Sequence, residues 1–351
     1  MKIKEIVDAE IFRNKIRIDM FKKILQYNLN VNSEKVLIMG DKGYKTNLVS
    51  PILTNAYSLA AEELGLDFQT VYQNFKGRGD YADEVAIRKL KELPKKSVII
   101  INVSNRIGKL DSLGLSFRKF AKGRGHRFVS SSSLGSIKNS DLKIVLNSLD
   151  VDYKNLSEQT HSLMKKLTEG NELHVQTKAG TDMLYNIEGI ESKGATGIYR
   201  NPREGGNLPA SEAYIAPNKT KVEGRIAIDG SLRIKNKTVL IKSPVLVDVH
   251  EGMITKLNNT PEAKLLNATL MWAHNKAKYP EGVWRIGEFG IGLNKKAKII
   301  GSTIIDEKAY GTGHFAIGSN AWFGGDIKSI IHLDQVIKNP IIKLDGRILK
   351  Y

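Results

Sequence analysis

The sequence predicts an α/β protein in two parts, an N-terminal parallel-sheet α/β domain followed by a strand-rich α+β domain. Two observations predict it. In the first third, short apolar runs ending at turns alternate with stretches of helical periodicity, the pattern of strands covered by crossover helices. Beyond about residue 170, apolar and polar residues instead alternate singly between glycine turns, as half-buried antiparallel strands do.

The elements follow in order. "KVLIMG" (35–40) reads as a buried strand, and "LVSPILTNAYSLAAEELGL" as a helix with Pro51 in its first turn, where a missing N–H costs nothing. "FQTVYQNF" is the next strand, "YADEVAIRKLKEL" a helix, and "KSVIIINVS" (96–104) a strongly apolar strand. "GDKGYK" after the first strand fits neither phosphate-loop spacing and reads as a plain strand-to-helix turn. Residues 141–168 are expected to be helical. "NELHVQTKAGTDMLYNIEG" opens the antiparallel part, which divides the chain into domains 1–160 and 161–351. One later helix is expected over 260–279, with Thr260 as N-cap and Pro261 at its first position.

Composition narrows the chemistry. The chain has no cysteine, which excludes disulfides, thiolate metal sites and cysteine nucleophiles, so a metal would be held by His, Asp and Glu. No signal-peptide pattern opens "MKIKEIVDAEIFRNKIRIDM" and no long apolar run follows, so a cytoplasmic protein without a membrane partner is expected. The net charge is +17, and ten basic residues fall between Lys95 and Lys138 against one acid, Asp111. Aromatic interleaving there is thin, so nucleic acid is not the expected partner, and a non-catalytic anion- or nucleic-acid-binding protein using this stretch is only a second alternative.

Among seven histidines, His126 and His161 read as surface residues and His174 as one member of an alternating strand. His332 and Asp334 differ. In an extended segment, side chains at i and i+2 share a face, so "IIHLDQV" aims an imidazole and a carboxylate side by side, where a divalent cation would offset burial of the acid. His314 follows "GTG", whose glycines let the backbone present a ligand. Glu288 is boxed by Gly287, Gly290 and Gly292, and Glu212 precedes a short strand between two prolines.

"GGNLPASEAYIAP", "GEFGIGLNKKAKIIGSTIIDEKAYGTGHFAIG" and "FGGDIKSIIHLDQVI", in that order, resemble the aminopeptidase T/S family of metallopeptidases. The resemblance implies a homodimeric hydrolase acting on a peptide or small amide. Two divalent ions (Zn, Co, Mn or Mg) would be held by Glu212, Glu288, His314, His332 and Asp334, with Glu212 or Glu288 as general base toward a metal-bound water. Where those peptidases place a tyrosine after the first histidine, this chain has Ala321 followed by Trp322. A relative on the same fold, 2,5-dihydroxypyridine dioxygenase, resembles this chain in its closing "HLD". It implies the alternative of one Fe(II) held by two histidines and an aspartate, here His314 or another histidine with His332 and Asp334.

Overall fold

The computed structural model describes residues 16–114 and 116–351. Most of the N-terminal stretch read for a leader lies outside the described residues. Among those described, no helix is long and apolar enough to cross a membrane.

The chain forms two compact units. The first runs to Asp150 and takes in Gly197–Leu208; the second holds Val151–Thr196 and Pro209–Tyr351. The division therefore falls ahead of residue 160. The reason is local: the expected helix over 141–168 is two helices, Leu142–Leu149 and Tyr153–Glu169, and the second belongs wholly to the second unit. The Asp152 carboxylate accepts from the backbone N–H groups of Lys154 and Asn155, a cap that starts a new helix just beyond Asp150.

In the first unit, β1 (Val36–Asp41), β2 (Phe68–Gln73), β3 (Val98–Asn102) and β4 (Arg127–Ser131) form a parallel sheet. Its order is β2-β1-β3-β4, with β8 (Gly205–Asn207) on the far edge. β1 and β3 are buried along their whole length, which is why they read as unbroken apolar runs. Each such Val, Ile or Leu contributes about 1.5–3 kcal/mol on burial. Helices Val49–Glu63 and Glu84–Glu92 are the expected crossovers. His126, expected at the surface, is fully buried instead. Its Nδ1 accepts from the Ser97 N–H at 3.1 Å and its ring lies 5.7 Å from that of Phe120.

The second unit contains two seven-stranded sheets. One is built from β5 (Glu172–Gln176), β6 (Asp182–Asn186), β10 (Val222–Ile228), β13 (Val245–His250), β14 (Met253–Leu257), β18 (Ile341–Leu344) and β19 (Arg347–Ile348). The other has the order β12-β11-β17-β16-β15-β9-β7. It comprises β7 (Lys193–Ala195), β9 (Glu212–Ile215), β11 (Ser231–Arg233), β12 (Thr238–Leu240), β15 (Ile286–Gly292), β16 (Thr312–Gly318) and β17 (His332–Lys338). Val175, Met183, Ile226 and Val247 of the first sheet share one apolar core with Phe289, Phe315, Ile317 and Leu333 of the second. Helix Pro261–His274 starts where expected, with the Thr260 hydroxyl accepting from the Ala263 N–H, but stops five residues short of Tyr279.

Candidate metal centre

β15 and β16 are buried on both faces, yet only one face is apolar. Phe289, Ile291, Phe315 and Ile317 point into the core, so by strand alternation Glu288, Gly290, Gly292, His314 and Ala316 occupy the other face. A bulge against β16 between Ile286 and Glu288 makes this possible. In a regular strand those two residues would share a face; the extra residue lets Ile286 enter the core while Glu288 turns away.

Antiparallel register then assembles the charged groups. Glu288 pairs with Ala316 and Ala316 with Asp334, so two carboxylates flank one methyl group across three strands. Gly318 pairs with His332, Gly290 with His314, and Gly292 with Glu212. Every large polar group thus lies beside a glycine or alanine. A Cβ on Gly290 would sit 2.2 Å from His314 Nε2, and one on Gly292 would sit 2.3 Å from the Ala309 carbonyl. The glycines around Glu288 thus serve close approach rather than a turn: Gly290 leaves room for the His314 ring, and Gly287 and Gly292 for the neighbouring backbone at Gly318 and Ala309.

All five residues singled out in the sequence converge here. His314 Nε2 lies 3.3 Å from Glu288 Oε1 and 3.6 Å from Glu212 Oε2. His332 Nε2 lies 3.5 Å from Glu288 Oε2 and 3.0 Å from Asp334 Oδ1. His332 Nδ1 donates to the Ser319 carbonyl at 2.8 Å, which turns Nε2 toward the carboxylates, the usual arrangement of a metal-binding imidazole. One ligand atom each from Glu288, His332 and Asp334 lies within 4.8 Å of the others. Two buried atoms, Glu212 Oε2 and His314 Nδ1, have no hydrogen bond among the described residues. Oxygen donors with an imidazole, partly unsatisfied, suit a divalent cation.

Two residues missed in the sequence complete the electrostatics. Lys308 is fully buried, and its ammonium pairs with Glu212 and, at 2.6 Å, with Glu307. Burial would lower the lysine, but the two carboxylates outweigh it and hold the ammonium charged. Burial pushes the Glu307 carboxyl up against the pull of Lys308, and raises Glu288 as well. Burial disfavours a charged His314, yet the Glu288 hydrogen bond and the charges of Glu212 and Glu288 lift it to about 9. His332 reaches about 10, where Asp334 and Glu288 outweigh burial. Asp334 is in turn driven well below its usual value, because His332 overcomes its burial.

The position where peptidases carry a tyrosine is a turn holding Ala321 and Trp322. Asn320 pins this turn, donating to the Gly287 carbonyl at 2.9 Å and accepting from the Ile327 N–H at 2.8 Å. Trp322 is 59% exposed, and its ring stands 4.5 Å from that of His332, edge to face. Tyr310 is directed elsewhere, toward Tyr351 and Lys295.

Residues 144–349 match the model of the family NicX, 2,5-dihydroxypyridine 5,6-dioxygenase. The chain belongs to this family. A curated NicX-family relative, 2,5-dihydroxypyridine 5,6-dioxygenase of Pseudomonas putida KT2440, is 26% identical over 191 residues. That match covers 52% of this chain and spans about half of the relative, 53%. The solved structure of 2,5-dihydroxypyridine dioxygenase from Pseudomonas putida KT2440 superposes with a TM-score of 0.70 at 17% identity, covering 95% of this chain and 97% of that one. AmpT from Thermus thermophilus superposes with a TM-score of 0.60 at 16% identity, over 95% and 98%. The mixed α/β fold expected from sequence is thus shared with both. The family, however, is that of the dioxygenase; the likeness to aminopeptidase T is one of fold.

Proposed function

We propose that this chain is a mononuclear non-haem iron enzyme that cleaves a hydroxylated, pyridine-type ring with dioxygen, holding the metal through Glu288, His332 and Asp334. The observation that carries the reading is the convergence of these three ligand atoms within 4.8 Å in a chain of the NicX family. The set has one imidazole and two carboxylates rather than two imidazoles and one. It remains a three-residue face of hard and borderline donors suited to Fe(II). Bound there, iron would supply the redox chemistry that joins dioxygen to the ring.

The remaining residues have positioning roles in this reading. Ser319 orients His332, and His314 holds Glu288 through its Nε2. Lys308 holds Glu212 and so withdraws one carboxylate from metal binding. Trp322 offers a flat apolar wall beside His332 to a planar substrate; such ring contacts contribute about 0.5–1.5 kcal/mol beyond area burial.

A second reading, the two-metal aminopeptidase, is favoured by the gathering of all five predicted groups on one sheet face. It requires Glu212 to leave Lys308 and join a second ion.

Metal analysis after anaerobic loading with Fe(II), followed by oxygen-electrode assays with 2,5-dihydroxypyridine, separates the two. One iron per chain and oxygen uptake are expected, both lost in His332→Ala and Asp334→Asn. Two ions per chain with release of N-terminal residues from a peptide would overturn the proposal in favour of the second reading.

A further inference from the structure

A cleft of about 390 Å³ opens where β14 runs into helix Pro261–His274, on the sheet that carries none of the metal ligands. Small-molecule sites span roughly 300–1,000 Å³, so its size suits a ligand with a single ring. Ile254, Leu257 and Ala263 supply its apolar lining, together with Trp284.

The strand shapes the cleft through a bulge. β14 pairs Ile254 with Val249 but Lys256 with Asp248, leaving Thr255 as the extra residue. Ile254 and Lys256 would share a face in a regular strand; the bulge lets Ile254 enter the core while Lys256 stays exposed. On the helix, Lys264 and Asn267 are neighbours at i and i+3, beside the buried Ala263 that seats the helix on the core.

The charge of this lining has one sign. Lys256 and Lys264 are exposed, and among the described residues neither is ion-paired and no carboxylate lines the cleft. Asp248, across the ladder from Lys256, is ion-paired with Arg225.

Two further side chains are fixed in place. The Trp284 carbonyl accepts from the Ile254 N–H at 2.8 Å, and the indole Nε1 donates to His274 Nδ1 at 3.1 Å. Asn258 donates through its backbone N–H to the Leu246 carbonyl and through Nδ2 to the Pro244 carbonyl, at 3.1 and 3.0 Å. The second bond settles which end of the carboxamide is oxygen, because a carbonyl only accepts. Asn258 Oδ1 is then an acceptor, buried and without a hydrogen bond among the described residues. Such an acceptor is costly until a donor reaches it.

We propose that this cleft is a second binding site, for a small aromatic carboxylate that also carries a hydroxyl or amino group. Its carboxylate meets Lys256 and Lys264, its ring lies against Trp284, and its O–H or N–H donates to Asn258 Oδ1. Isothermal titration of the full chain with benzoate, and with its 3-hydroxy, 4-hydroxy and 4-amino derivatives, at constant ionic strength tests it. At least one derivative is expected to bind saturably and one-to-one, about threefold or more tighter than benzoate. That affinity should fall about tenfold or more in Lys264→Gln, in Lys256→Gln or in both, each an exposed position. Trp322→Ala should bind as the wild type does, which separates the cleft from the metal centre. Absence of saturable binding, benzoate as tight as all three derivatives, unchanged affinity in both lysine variants, or loss of binding in Trp322→Ala overturns the proposal.

Discussion

The ammonium of Lys308 is ion-paired with Glu212 at a place where the lysine side chain is 1% exposed and the glutamate 9%. A cation has been built into the middle of the acidic face. With four carboxylates on or beside that face, Lys308 answers for Glu212 and Glu307, while the imidazoles face Glu288 and Asp334. The arrangement divides the face into a part neutralised by the chain itself and a part left for a metal.

Removing the internal cation should therefore be severe. Lys308→Met leaves two buried carboxylates facing each other, and loss of one partner of a buried pair costs about 3–5 kcal/mol. Urea unfolding should show a decrease of that size. The triple variant Lys308→Met/Glu212→Gln/Glu307→Gln, which removes the stranded charges, should recover most of it. A single variant as stable as the wild type would show that the pair does not support the fold.

Trp322 makes a different prediction, because its ring touches His332 without being a ligand. In Trp322→Ala, KM for a planar hydroxylated ring should rise between about twofold and tenfold, the equivalent of a lost ring contact. Iron content should stay at the wild-type level. If iron falls instead, the ring serves to hold His332 rather than substrate.

How much of this was legible in the sequence depends on where each signal came from. The parallel sheet was legible because β1 and β3 are buried on both faces and so spell apolar runs. His332 and Asp334 were legible because a two-residue spacing fixes a common face in any strand. Glu288 stood out through its glycines, although their purpose, room for His314 and for the chain at Ala309, needed the register. Lys308 and Glu307 were hidden: a Glu-Lys pair after a short helix looks like solvated surface, and only the close approach of that segment to Gly292 buries it. β8 was hidden for another reason. Gly205–Asn207 has no periodicity, and its place in the first unit's sheet comes from pairing with β4. The five polar residues that carry the peptidase resemblance gather on one sheet face here, while the turn with Ala321 and Trp322 departs from the peptidase pattern.

His126 predicts a pH dependence of stability that is independent of the metal. Burial, and next the charge of Arg124, lower its imidazole from 6.5 to about 4. The folded protein therefore binds its proton more weakly than the unfolded chain does. The stability linked to neutral His126 is fully present above pH 6.5 and is lost as pH falls through about 4, a change of about 3 kcal/mol. His126→Gln, which keeps an acceptor for the Ser97 N–H, should flatten this part of the curve when unfolding free energies are compared from pH 7 to pH 4. An unchanged difference between wild type and variant across that range would assign the acid sensitivity to other groups.

The last prediction concerns a residue with no functional group. Gly290 faces His314 across the β15–β16 ladder, and a methyl there would stand 2.2 Å from the imidazole Nε2. Both strands are buried, so the ring must leave Glu288 for the clash to be relieved. Gly290→Ala should cost about 1–3 kcal/mol, as overpacking of a filled interior does. It should also weaken metal binding, since Glu288 loses the hydrogen bond that orients it. Gly313→Ala, on the opposite face of the same sheet, meets its nearest neighbours at 3.3 Å and should cost stability without changing metal affinity. Titration of both variants with Fe(II) under anaerobic conditions, together with urea unfolding, distinguishes the outcomes. Equal metal affinity in the two would mean that His314 does not govern the position of Glu288.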